Sequence, residues 1–161
     1  MKSSKSLAPS SKEAPSSNLQ AAAGEFGAGP WWEVDDGLLV LNDEPALDGK
    51  PPFDLEERTA QFGEAVIKFA KTIPRHPAND RIINQVVGAG TSVGANYCEA
   101  NESVSKKDFR YSISRCIKEA KESRFFLRMA VASEPQLVGD ARKLWREATE
   151  LLRIFSTMKR K

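Results

Sequence analysis

The stretch from Val86 to Ala100 reads V-V-G-A-G-T-S-V-G-A-N-Y-C-E-A, and its reading decides the fold. Apolar or small residues recur at Ile82, Val86, Gly90, Val93, Tyr97 and Ala100, in steps of four or three, the period of a helix with one buried face. A strand would need alternation by two. Gly88, Gly90 and Gly94 each weaken an isolated helix by up to about 1 kcal/mol relative to Ala, so a helix here requires tertiary packing to override propensity. The expected compensation is close approach. With Gly88, Ala89, Gly90, Thr91, Ser92, Gly94 and Ala95 in one run, a neighbouring helix backbone can come nearer than the usual separation of about 8–10 Å. The G-x-G-x-x-x-G pattern superficially resembles a phosphate loop. Against that, no β-branched strand leads into it, the Lys-Ser/Thr pair is missing, and the spacing fits neither nucleotide-binding fingerprint.

Asn96 and Glu99 follow the small residues one helical step apart, where polar groups turned to a bundle interior need partners. The structural expectation pairs Asn96 across to another helix and Glu99 with a basic residue of the third helix. A catalytic carboxylate is the alternative.

Working outward, the same helical period appears three more times. Asp54, followed by Glu57, is an N-cap with a capping-box partner, and Phe53 before it is a candidate staple. The first helix then carries a seam of Leu55, Thr59, Phe62, Val66, Phe69 and Ile73, and Pro74 and Pro77 stop it. The second helix is expected to start near Asn79 or Asp80 and to run to about Asn101. Ser105, with Asp108, caps a third helix whose seam is Phe109, Ile113, Cys116, Ala120, Ser123, Leu127 and Ala130, ending before Pro135. A fourth repeats at Ala141, Leu144, Ala148, Leu151, Phe155 and Met158. Four amphipathic helices joined by short loops predict an all-α, antiparallel up-down four-helix bundle over residues 53–161.

The first 52 residues differ. Residues 1 to about 30 are rich in Ser, Ala, Pro and Gly without periodicity, a composition expected to stay disordered. Trp31 to Leu41 places two short apolar runs about Asp36-Gly37, a hairpin signal, and residues 42–52 read as a linker. Trp31 and Trp32 fit two roles equally, docking the segment on the bundle or recruiting another protein.

At 161 residues with 29% charged and 40% hydrophobic residues, the chain is globular in composition. No apolar run is long enough to span a membrane, and the opening M-K-S-S-K-S-L-A-P-S lacks the apolar core of a secretory signal, so a cytoplasmic location is the default expectation. Cys98 and Cys116 lie in helical patterns without metal-ligand spacing and read as buried, reduced thiols. The single histidine, His76, lies between two prolines. It cannot supply a Glu-x-x-His di-metal centre or a helix-borne nucleophile relay, so neither metal, cofactor nor catalysis is expected.

The charge is unevenly spread. Residues 1–50 hold four Lys against eight Asp/Glu, whereas from Ser105 onward there are 15 Lys/Arg against 7 Asp/Glu, a net +8 in a chain of net +2. Placing the third-helix seam inward puts Tyr111, Lys118 and Phe125 outermost, flanked by Arg115, Lys121 and Arg128. On the fourth helix the outermost residues are Arg146, Arg153 and Arg160, with Arg142 and Lys143 beside the first. Aromatics and arginines together suit a face that meets another subunit or a nucleic acid. The arginine stripe, spaced about 10.5 Å by helix geometry, suits phosphates. The plain alternative is a solvated face on which Glu150 pairs with Arg146 or Arg153.

Gly90 to Ala100 (G-T-S-V-G-A-N-Y-C-E-A), Ser105 to Phe109 (S-K-K-D-F) and Asp54 to Thr59 (D-L-E-E-R-T) together resemble the bacterial four-helix bundle proteins also known as 23S rRNA intervening-sequence proteins. The resemblance covers about residues 53–160. It implies an up-down bundle that assembles as a homopentamer, without an assigned activity, related to the accessory variability determinant of diversity-generating retroelements, which binds its reverse transcriptase and nucleic acid. It carries over Asn96 and Glu99 as a structural polar pair. Residues 1–52 have no counterpart in the family pattern. The resulting functional expectation is a non-enzymatic homo-oligomer that binds RNA or ribonucleoprotein through Arg115, Lys118, Lys121, Arg142, Lys143, Arg146, Arg153 and Arg160. Tyr111, Phe125 and Arg128 are placed at the oligomer interface. The alternative is a scaffold or accessory subunit that recruits a protein partner through Trp31–Leu41.

Overall fold

In a computed structural model of the chain, residues 30–32 and 54–160 are described. The chain divides into two units, residues 1–30 and 31–161, and the second contains the helices. Among the described residues these are α1 (Leu55–Ala70), α2 (Pro77–Asn101), α3 (Lys106–Ser133) and α4 (Val138–Arg160), with a 3-10 turn (Pro135–Leu137) leading into α4. The expected hairpin and linker, apart from Trp31 and Trp32, lie outside the described residues, as does Phe53.

The connections between helices are six, four and four residues long, so each helix turns straight back along its predecessor. α1 packs on α2, α2 on α3, α3 on α4, and α4 closes against α1. Polar contacts fix the antiparallel sense. Glu56 near the start of α1 meets Asn101 at the end of α2, and Glu99 near the end of α2 meets Arg115 near the start of α3. Arg58 on α1 forms a two-pronged pair with Glu147 on α4, at 2.6 and 3.1 Å.

The expected seams form the core. Val66, Val86, Val93, Ile113, Cys116, Leu127, Leu151 and Phe155 have no solvent exposure, and Leu55, Phe109, Tyr97 and Met158 pack at its margins. Tyr97 and Phe155 meet diagonally, from α2 to α4, with ring centroids 5.7 Å apart. Each large apolar side chain removed from water in this way contributes about 1.5–3 kcal/mol.

The glycine run works as expected at two of its three glycines. A Cβ on Gly90 would lie 2.7 Å from Val66 Cγ1, and one on Gly94 would lie 3.4–3.5 Å from Thr59 Oγ1 and the Thr59 backbone. On α1, Gly63 answers them, its missing Cβ 3.6 Å from Thr91 Cα. Thr59 and Gly63 are thus the α1 counterpart of Gly90 and Gly94, small residues four apart on each helix. Gly88 is a correction: it is exposed and nothing lies within 4 Å of its absent Cβ. Two residues before Gly90, it is turned about 200° away from the contact.

Other expectations are adjusted. α1 ends at Ala70, and Thr72 and Ile73 close a turn on Phe69 O and Ala70 O before Pro74 is reached. α2 starts at Pro77, two residues before Asn79, because Pro suits the first helical position and His76 caps it. Asp54 and Ser105 cap α1 and α3 as read, accepting from the backbone N–H of Glu57 and Asp108. Asn96 is buried, yet its amide donates to Ser92 O on its own helix at 2.7 Å instead of reaching another helix. The facing interior is apolar, so the carbonyl one turn back is its acceptor. Glu99 is exposed and pairs with Arg115 of α3 at 2.8 Å, the expected basic partner, but on the surface. Cys116 is buried as expected, whereas Cys98 is exposed: it follows the seam residue Tyr97, and one residue rotates about 100° out of the core.

Candidate functional site

The two halves of the bundle present opposite chemistry. Residues 54–104, with α1 and α2, hold five Lys/Arg against seven Asp/Glu, a net −2, while the chain from Ser105 carries +8. Between α1 and α2 lies an open cleft of about 410 Å³. Its floor is the small-residue contact of Gly63, Thr91 and Gly94, and Glu56, Glu57 and Glu64 line it with Cys98.

The outer face of α3 and α4 is basic and aromatic. Arg115, Lys118, Lys121, Arg128, Lys143, Arg146, Arg153 and Arg160 are exposed, and Arg142 is half-buried. Tyr111 and Phe125 are 66% and 54% exposed, unusual for large rings on a helix surface. Several of these cations already have partners: Arg115 with Glu99, Lys143 with Asp140 at 2.9 Å, and Arg153 with Glu150 at 2.8 Å. Glu150 therefore pairs as the solvated-face reading expected. Such exposed pairs are worth about 0.2–1 kcal/mol and leave the cations accessible to a phosphate.

The same face holds a feature that sequence patterning did not single out. Trp145 of α4 is 6% exposed and sits beside the seam residue Leu144. The guanidinium of Arg124, on α3, lies 4.3 Å over its ring, and Trp31 meets it edge-on at 5.5 Å. Trp32 contacts Trp31 edge-on at 5.8 Å and carries the Arg128 guanidinium at 3.9 Å. The result is a ladder of alternating side chains, Arg128, Trp32, Trp31, Trp145 and Arg124. Of the two roles open to Trp31 and Trp32, docking on the bundle is realised in this structure. Burial, with Arg153 nearby, lowers the pKa of Arg124. Two N–H donors in the ladder, Trp145 Nε1 and Arg124 Nε, have no hydrogen-bond acceptor among the described residues. The signal for this cluster in the sequence was a lone indole one residue off the seam and an arginine one residue after Ser123.

At the far end of the bundle, Asn79 is wholly buried. Its amide donates to Pro74 O (2.9 Å) and Glu134 Oε1 (2.7 Å) and accepts from Ser133 (2.7 Å). Hydrogen bonds from Gln136 and then Asn79 hold the Glu134 carboxyl below the usual carboxylate range. This is a structural knot joining the α1–α2 loop to the end of α3. Among the described residues no three His, Cys, Asp or Glu side chains gather as metal ligands, and no helix is long and apolar enough to cross a membrane. The Cys116 thiol is pushed up to about 12 by burial.

Comparison with known proteins agrees with this architecture. A solved structure from Bacteroides thetaiotaomicron, a protein of unknown function from the S23 ribosomal protein family, matches with a TM-score of 0.59 at 21% identity, covering 66% of this chain and 99% of that one. At that identity the likeness is one of fold. No curated protein matches. The family model described as 23S rRNA-intervening sequence protein matches residues 53–157, the whole helical part except its last turn, and the chain belongs to that family.

Proposed function

We propose that the chain is a non-enzymatic, self-associating bundle that binds RNA or a ribonucleoprotein through the outer faces of α3 and α4. The observation that carries this reading is the segregation of charge: a net +8 from Ser105 onward against −2 for residues 54–104, with the basic side chains of α3 and α4 predominantly at the surface. Arg146, Arg153 and Arg160 recur every two turns, so one helix face presents cations at about 10.5 Å intervals along a polyanion. The family description refers to 23S rRNA, which supports an RNA-related role. Self-association follows from the family resemblance and is supported by the exposed rings of Tyr111 and Phe125. The reading assigns no catalysis: His76 serves as a helix cap and the buried Cys116 thiol stays protonated.

Filter binding of the purified protein to RNA tests the reading. Affinity is expected to fall by orders of magnitude between about 50 and 200 mM salt as counterions displaced from phosphates are regained. Binding indifferent to salt over that range refutes it. Native mass measurement tests self-association, which a monomer at micromolar concentration would exclude.

A further inference from the structure

The ladder on α3 and α4 is short of acceptors. Every polar side-chain group in it is a donor: the guanidinium groups of Arg124 and Arg128 and the three indole N–H groups. Two of these, Trp145 Nε1 on a side chain 94% removed from solvent and the buried Arg124 Nε, have no hydrogen-bond acceptor among the described residues. Leaving buried donors unsatisfied is unfavourable, so a structure that needed only a packing contact would do better with an apolar residue in place of Arg124. Trp31 and Trp32 supply flat aromatic surface to the site but none of the acceptors it lacks. They also stand outside residues 53–157, the part that matches the family, so the bundle provides Arg124, Arg128 and Trp145 by itself.

A ligand better matched to these three residues offers aromatic faces, ring and carbonyl acceptors, and negative charge together. That combination describes the unpaired bases of a single-stranded nucleic acid, which stack on indole and guanidinium planes and carry acceptors at their edges. We propose that Arg124, Arg128 and Trp145 form a base-stacking site for single-stranded RNA, and that Trp31 and Trp32 occupy it as tethered place-holders. The inference rests on the RNA-binding reading above and adds to it where unpaired bases dock and what competes with them. Duplex RNA, whose bases are already stacked, uses only the phosphate-facing arginines and gains nothing from opening the ladder.

The chain's three tryptophans make the test direct, because the Trp31→Ala/Trp32→Ala variant keeps Trp145 as its only indole. A short fluorescein-labelled oligouridine is titrated with the full-length wild type and with this variant, helical content being checked by circular dichroism. A duplex of matched length serves as the control. The expected result is oligouridine affinity at least about tenfold tighter in the variant, quenching of Trp145 emission on binding, and unchanged duplex affinity. Adding Arg128→Gln to the variant should return most of that gain. Equal oligouridine affinity in wild type and variant, weaker binding by the variant, or tighter binding without Trp145 quenching each overturns the stacking site while leaving the phosphate stripe standing. Absence of binding to either RNA by both proteins overturns the RNA-binding reading and this inference with it.

Discussion

The α1–α2 contact and the α3–α4 face solve opposite problems within one bundle. Between α1 and α2 the side chains are cut back until backbone meets backbone: Gly63 faces Thr91, and Gly90 leaves no room beyond Val66. On α3 and α4 the chain instead builds outward with arginines and rings, and Arg128 and Trp145 reach across to Trp32 and Trp31. The first arrangement gains stability from steric fit and leaves no room for an added methyl at Gly90, whereas Gly63 and Gly94 sit at ordinary contact distance. The second accepts one partly desolvated guanidinium, that of Arg124, and two donors without an acceptor among the described residues, features that stability alone does not favour. The difference separates a contact specified by steric fit from a face on which charge and aromatic surface are left at or near solvent.

The largest test asks whether the two halves are one cooperative unit. Phe155 on α4 has no exposure and meets Tyr97 of α2 through the middle of the core. Phe155→Ala is expected to cost about 3–5 kcal/mol, lowering the single denaturation midpoint of both halves together. Two separate transitions by circular dichroism and tryptophan emission would show that the halves are independent.

Next in size is a pair of like substitutions with opposite sign. Gly90→Ala forces a methyl to within 2.7–3.0 Å of the branched, wholly buried Val66, so overpacking of about 1–3 kcal/mol should exceed the helix-propensity gain of about 1. Gly88→Ala meets open space and should stabilise by about 0.5–1 kcal/mol. Urea denaturation of both variants decides the matter, and Val66→Ala should partly rescue Gly90→Ala if the clash is the cause. Similar shifts for the two glycines would refute the steric account.

Asn79→Ala leaves Glu134, Ser133 and the Pro74 carbonyl short of a partner and should cost about 1–3 kcal/mol, read by thermal melting.

The smallest effect concerns acid. The Glu134 carboxyl is lowered from 4.5 in the folded chain, so its hydrogen bonds contribute above its unfolded pKa and are lost as pH falls through the folded value. Glu134→Gln should therefore lower the melting temperature at pH 7 slightly and lose that deficit on acidification below about 4.5. A deficit that persists at acid pH would assign the effect to packing.

Much of the fold was legible because helix periodicity and capping are local. Asp54 and Ser105 announce their helices within three residues, and the four seams follow from spacing alone. What escaped depended on rotation by a single residue or on contacts far apart in the chain. Cys98 and Gly88 sit on apparently apolar helical runs, but each is turned out of the core by its angular position. Asn79 reads as a helix-starting residue until the end of α3, more than fifty positions later, supplies its partners. The basic faces of α3 and α4 were visible as a charge count. The ladder joining Trp31 to Trp145 was not, because no local pattern links residues more than a hundred positions apart.

The unequal placement of the two cysteines gives this molecule an internal clock. Alkylating reagents attack thiolates, so Cys98 at the surface is open to them in the native chain, whereas Cys116, sealed in the core with its ionisation suppressed, waits for the whole bundle to open. Counting one adduct against two over time by intact-mass spectrometry would therefore read the frequency of global opening without any added probe.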